Sequence, residues 1–390
     1  MGRLAIVTSV LALGVALAGV SQAHAQRLGG SSGVGYADPS ETIEGPKTIV
    51  GTRGYESPMP FFRDLKPWDP EYRPPRTPDG KPDLQGVWST ASLTSLTRGG
   101  GRGGANVDTL VIPAEKINEL LDNADYARIA RDSQKRTDPN AGVFQDRNAD
   151  AGYNAFWIDP GSEYAKVNGE YRSSWITSPA NGQIPYNRAG NTAAGSRMAS
   201  ARSVDNTGPE IRTLGDRCLV SFANQGGPPL TNAMYNNHVE IVQTPDHVVL
   251  NIEMNHDARI VRIRKPGETE QRLPEPIQQW FGDSIGWWEG DTLVVETRNL
   301  HPLQARGRIP LSRDGRVVER FRRVSDVEID YTYEVIDPVS YTQTWTGQMP
   351  LRRSNEKVYE YACHEGNYAL AGILRGMVEG RDTAIEADGE

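Results

Sequence analysis

From Asn236 onward the chain reads as strands separated by tight turns, with apolar side chains at every second position, which restricts it to sheets with one apolar face. Val248, Leu250, Ile252 and Met254 alternate with Val249, Asn251 and Glu253. Val327, Ile329, Tyr331, Tyr333 and Val335 alternate with Glu328, Asp330, Thr332 and Glu334. Turn-forming groups separate the runs: Thr244-Pro245-Asp246, Glu289-Gly290-Asp291 and Ile336-Asp337-Pro338. Residues 84–90 read as the first strand, 341–349 as a late one and 357–363 as the last. Consecutive strands at such short spacing predict an antiparallel meander. Closure into a barrel is favoured over a sandwich because it removes the edge strands.

The rest of the chain frames this sheet. Residues 1–25 have the three parts of a secretory signal peptide: Arg3, an apolar run from Leu4 to Val20, and the small-residue site Ala23-His24-Ala25. Residues 26–82 form a Gly- and Pro-rich arm, from Gly29-Gly30-Ser31-Ser32-Gly33 to Pro74-Pro75-Arg76-Thr77-Pro78. Phe61, Phe62 and Trp68 lie within it, so the arm is expected to rest on the body. The β-barrel domain spans 83–378. It carries a helix over 113–135, opened by Pro113 and Glu115 and patterned by Ile117, Leu120, Leu121 and Tyr126. A second short helix is expected over 368–377, and residues 379–390 read as a disordered acidic tail. The interval 136–235, rich in Asn, Gly, Pro and Ser, reads as loops with short strands.

Charge and cysteine usage narrow the function. Forty-two basic and 50 acidic side chains give a formal charge of −8, which becomes −9 once Arg3 leaves with the leader. That balance excludes a nucleic-acid partner, which demands a basic surface. After processing, no segment reaches membrane-spanning length, so a periplasmic or secreted product without membrane insertion is expected. Cys218 and Cys363 are the two cysteines. In an oxidising compartment an even pair reads as one disulfide; two buried free thiols are the alternative. The long closed loop would contribute about 4–5 kcal/mol in the chain-entropy account.

The runs PRTPDGKPDLQGVW, YNNHVEIVQTPDHVVL, EMNHDARIVRI, WFGDSIGWWEGDTLVVET, ERFRRV and YEYACHEGNYALAGILRG resemble an uncharacterised family of exported bacterial proteins. That resemblance covers roughly residues 74–377 in patches and implies export and a β-rich body without naming a reaction. Gly86-Val87-Trp88 on the first strand is similar to the Gly-x-Trp start of lipocalins. The fold expected is therefore mostly β: an antiparallel, lipocalin-like barrel with an N-terminal extended arm and one or two helices.

Histidines mark the candidate chemistry, because imidazole transfers protons near neutrality. Five lie beyond the leader: His238, His247, His256, His301 and His364. His247 and His301 read as solvent-facing. His238, His256 and His364 sit in the polar runs Tyr235-Asn236-Asn237-His238, Asn255-His256-Asp257-Ala258-Arg259 and Cys363-His364-Glu365. His256, His238 and His364 are candidate acid–base residues, with Tyr235 as proton donor and Asp257 fixing a ring tautomer or holding Arg259. Arg259 is a candidate two-point ligand for a substrate carboxylate. Asn236, Asn237, Glu253 and Glu365 complete the substrate-binding set, with Trp287 and Trp288 lining a cavity alongside Trp280 and Trp345. A Cys218–Cys363 bond would bring His364 and Glu365 to the loop Gly226-Gly227-Pro228-Pro229, near His238. Against this stands the plain reading that polar residues at strand ends satisfy turn backbones and that the tryptophans pack the core.

The function these residues predict is an extracytoplasmic acid–base enzyme, lyase or isomerase in type, acting on a carbohydrate or plant-derived aromatic compound. The alternatives are a lipocalin-like small-molecule binding protein and a hydrolase using a pair drawn from Glu240, Glu253, Glu296 and Glu365. The partner is then a small molecule or oligosaccharide, and a homo-oligomer is compatible with the sequence. No cofactor is called for. The weaker alternative is a divalent metal held by His238, His256 and His364 with Glu253, Asp257 or Glu365, whose spacing matches no short zinc signature.

Overall fold

The computed structural model describes residues 59–99, 105–124, 160–201, 208–304 and 308–376. The expected leader, the arm before Met59 and the acidic tail lie outside them. Nine strands close one barrel. They are β1 (Gly86–Ser89), β6 (His238–Gln243), β7 (His247–Ile252), β8 (Ala258–Ile263), β9 (Asp283–Glu289), β10 (Thr292–Arg298), β11 (Arg316–Ser325), β12 (Glu328–Ile336) and β13 (Trp345–Ser354), and β13 pairs back onto β1. β5 (Ile176–Ser178) adds to β13, while β2 (Val111–Ile112), β4 (Glu170–Arg172) and β3 (Lys166–Val167) make a small separate sheet.

The alternation reaches the structure intact, because its apolar phase points inward. Tyr331 on β12 stands opposite Phe321 on β11 and Met349 on β13. Val248, Leu250 and Ile252 of β7 are at most 1 % exposed. Aromatic rings run through the interior in contact, from Phe321 to Tyr331 (4.8 Å), Tyr333 (5.6 Å) and Trp345 (5.9 Å). Gly347 makes this packing fit, since a Cβ there would lie 2.2 Å from the Tyr333 ring. At the floor, Trp88 donates its indole N–H to Leu84 O, and the Arg323 and Arg353 guanidiniums lie near its ring. The interior is filled by one contiguous cluster of buried apolar side chains.

Three expectations need correction. The barrel is mixed, because β8 and β9 run parallel. Residues 264–282 carry the chain back to its starting end before β9 begins, which a hairpin would not do. The segment 357–362 is not a strand: β13 already closes onto β1, so no ladder is left to join, and Cys363–Gly366 is a helical turn followed by helix over 368–376. The first helix is short, with a 3-10 turn Ala114–Lys116 leading into Ile117–Asn123. Residues 125–135 lie outside the described set.

Residues 59–82 lie against the barrel. Phe62 is buried, its N–H donates to Glu163 Oε2 (2.6 Å), and the Arg352 guanidinium sits 3.8 Å from its ring centre. The Trp68 N–H donates to Asn168 Oδ1, and Arg322 lies near the indole. The arm thereby reaches the polar outer face of β12 and β13, where Arg352 donates to Pro60 O (2.8 Å) and Trp68 lies at Glu328.

Candidate functional site

At the mouth of the barrel the loop 218–232 folds across the opening, with Gln225 to Leu230 buried. It is fastened from within. Arg259 donates Nη1 to Gly226 O (3.2 Å), and its fork engages both carboxylate oxygens of Glu319. Tyr331 donates its hydroxyl to Glu319 Oε1 (2.7 Å) and accepts the Leu230 N–H (2.8 Å). Thr297 and Ser284 complete the network. Burial, and then the Glu319 carboxylate, holds the Tyr331 hydroxyl well above the ordinary phenol range, so it is a donor there. Arg259 is thus corrected from substrate ligand to internal tie: its two-point partner is Glu319, and Asp257 makes no ion pair with it.

The mouth is backbone under local strain. Of the seven described non-glycine residues with positive φ, all but Asn168 lie here: Cys218, Asn224, Asn236, Asn255, His256 and Asn299. Asn255 (φ 62°) and His256 (φ 51°) are consecutive. Each left-handed residue costs on the order of 1–3 kcal/mol, so the surrounding bonds must impose the turn. On its first side, Glu253 donates N–H to His238 O (2.9 Å), and its carboxylate receives the His238 N–H (3.1 Å) and lies 2.9 Å from Nδ1. On its second side, Asp257 accepts the Ser221 N–H (2.8 Å) and the Asn255 amide (3.2 Å). Gly226 packs so closely that a Cβ there would lie 3.0 Å from Phe281 and 3.4 Å from Asp257 Cβ.

These clamps leave the His256 ring exposed on the rim. Its Nε2 accepts the Tyr361 N–H at 3.1 Å, which fits the neutral ring with its proton on Nδ1. Tyr361 lies beside Asp257, and Tyr235 lies beside Tyr361. Burial raises Asp257 against the hydrogen bonds from Ser221 and Asn255; burial and then Asp257 raise Tyr361, and burial and then Tyr361 raise Tyr235. Both phenols are therefore held protonated. Phe222 packs 5.5 Å from the Tyr235 ring and is half-exposed. The Cys218–Cys363 disulfide, with Cα atoms 5.9 Å apart, joins the chain carrying Phe222 to the chain carrying Tyr361.

The remaining expected residues disperse. His238 is fully buried with Glu253 below the turn rather than in the opening, so it positions the turn instead of facing a ligand. The Asn237 amide is taken up by Ala233, Gln225 and Thr90, and Asn236 supplies its carbonyl to Gln225. His364 and Glu365 are exposed on the helical turn and do not gather with His238. Trp287 and Trp288 point to opposite faces, as strand neighbours must. Trp287 lies outside under Arg264, Trp288 packs on the core, Trp345 is core, and Trp280 lies against the His301 ring in a tilted contact (4.1 Å between ring centres). His301 is thus partly covered, and burial lowers its pKa. The carboxylates do not pair: Glu240 bonds Asn251, Glu253 bonds His238, and Glu296 is held by Arg272 and Arg298. Among the described residues no three His, Cys, Asp or Glu side chains converge to hold a metal ion, and no helix is long and apolar enough to cross a membrane. An open groove of about 700 Å³ follows the helix Arg188–Ala201 and is lined by none of the expected site residues.

Sequence reasoning missed Glu319, Tyr361 and Ser221. Glu319 carried a signal, since it is an acid in the inward phase of Val317, Phe321 and Arg323. Tyr361 and Ser221 carried none, because the Tyr361 N–H and the Ser221 N–H act through the backbone. No protein-family model matches the chain and no curated protein matches it, so the chemistry rests on this geometry alone.

Proposed function

We propose that the barrel mouth is the active site of an extracytoplasmic acid–base enzyme, lyase or isomerase in type. His256 serves as base through Nε2 and Tyr235 as proton donor. The observation that carries this reading is the strained Asn255-His256 pair, clamped on both sides so that one imidazole stands out beside two protonated phenols. Strain of this kind collects where function needs a fixed geometry. The substrate class is an uncharged, hydroxylated or aromatic ring compound, a carbohydrate or plant-derived aromatic. The Phe222–Tyr235 pair offers a stacking surface, and Arg259 is already neutralised by Glu319. Export rests on the leader pattern of residues 1–25 and agrees with a disulfide. Gly86-Val87-Trp88 on the first barrel strand supports a lipocalin-related barrel, though with a filled interior a ligand must sit at the mouth.

The test is a screen of the purified protein against sugars and aromatic glycosides with mass detection, before and after dithiol treatment. His256→Ala is expected to lose on the order of 10²–10⁴ in rate with melting unchanged, and Tyr235→Phe a smaller factor. A His256→Ala protein that stays folded and keeps its turnover overturns the assignment. Ring compounds that bind at the mouth without conversion would instead make this a binding protein.

A further inference from the structure

The base of the proposed site is capped in this structure, and the cap lies on a separable piece of chain. Residues 355–376 pass outside the closed barrel, and none of them is buried. Tyr359 and Tyr368 are 63 % and 82 % exposed. At the mouth the segment is attached through three features. The Tyr361 N–H occupies His256 Nε2, Asn367 Nδ2 donates to Asp216 O (2.7 Å) and contacts Cys218 Sγ, and Cys363 is bonded to Cys218. Hydrogen bonds at an exposed surface do not by themselves hold a segment of this length against its chain entropy. The covalent bond does.

We infer that residues 355–376 are a redox-released latch over His256, locked by Cys218–Cys363 and opened by a dithiol reductant. The inference deepens the acid–base reading of the mouth and rests on it for its purpose. One thiolate of the reductant attacks a sulfur of the disulfide, forming a mixed disulfide and expelling the other cysteine as thiolate. The second thiol of the reductant then displaces the first cysteine. Two electrons pass from the dithiol to the pair, both cysteines take up protons, and the reductant leaves as its own disulfide. Freed of the crosslink, the latch withdraws the Tyr361 N–H and returns the Nε2 lone pair to solvent beside Tyr235.

Acylation by diethyl pyrocarbonate, read at each histidine by mass spectrometry, reports that lone pair without any substrate. The full-length protein is labelled oxidised, after dithiothreitol, and as the Cys363→Ser variant without reductant. His247, exposed at the floor end of β7, is the internal control. His256 labelling is expected to rise about 3- to 10-fold in the reduced and Cys363→Ser forms, the factor for freeing one ordinary hydrogen bond at the reacting nitrogen. Trypsin is expected to cut at Lys357 in those forms first, with His247 labelling unchanged. Unchanged His256 labelling after reduction overturns the latch. So does a rise at His256 and His247 together, which would mean that the barrel loosens as a whole. Because no turnover is read, an inactive protein with a working latch is distinguished from a latch that does not exist.

Discussion

Glu328 makes the outer face of the barrel sensitive to pH, and replacing it by glutamine isolates the effect. Its carboxyl lies under the arm on β12, 2 % exposed. Burial is the main reason its pKa rises from the ordinary 4.5 to about 7; the Trp68 indole opposes the rise, Asp330 adds to it, and Arg352 and Lys166 oppose it. A rise of that size corresponds to about 3 kcal/mol of cost for holding the charged form, at about 1.4 kcal/mol per pH unit. The folded pKa lies above the unfolded one, so the folded chain holds this proton more tightly. The group's contribution is fully present below pH 4.5 and is lost as pH rises through about 7. Glu328→Gln keeps the shape and removes the charge. Its urea-unfolding free energy is therefore expected to match wild type near pH 4.5 and to exceed it by up to about 3 kcal/mol at pH 8.5. Burial also raises Asp330. It leaves a residual slope of the same sign in both proteins, so the wild-type-minus-variant difference is the quantity to plot. A difference that stays flat between pH 4.5 and 8.5 refutes the reasoning, and so does a variant less stable at high pH.

The buried tie at the mouth and the docked arm make two further predictions. Breaking the Arg259–Glu319 pair from one side, by Arg259→Met or Glu319→Leu, is expected to cost about 3–5 kcal/mol in chemical unfolding, while the two changes together recover most of it. Additive losses in the double variant would contradict this. Phe62→Ala is expected to cost about 3–5 kcal/mol and to speed proteolysis within 59–82. A variant with wild-type stability would show that the arm contributes nothing.

The sequence made the sheet legible because period two is clean in β7 and in the apolar residues Ile329, Tyr331, Tyr333 and Val335 of β12, where inward phase and burial coincide. Strand direction was not legible. Residues 264–282 have no apolar period, and nothing in β9 itself says which way it runs. The run 357–363 looked like a strand because Val358, Tyr359 and Tyr361 are good strand formers, yet the ring was already full. At the site, His256, Asp257 and Tyr235 were visible as types, and the cysteine pair as a bond. Their roles were not. Arg259 takes its partner from Glu319, sixty residues on, and His238 meets Glu253 only once two strands have paired.

The parallel pair has a consequence set by counting. Neighbours that alternate in direction around a closed ring must be even in number, so a ring of nine leaves one pair that agrees. β8 and β9 are that pair, which makes the crossover 264–282 a condition of closure rather than an ornament. Much of it is exposed, and by appearance it is what an engineer would trim. Surface loops generally accept shortening. This one must span the height of the barrel, and Arg272 moors it midway to Asp283 O and Glu296. Cutting it to a tight turn would reverse β9, make the count irreconcilable, and turn a closed wall into an open sheet with two raw edges.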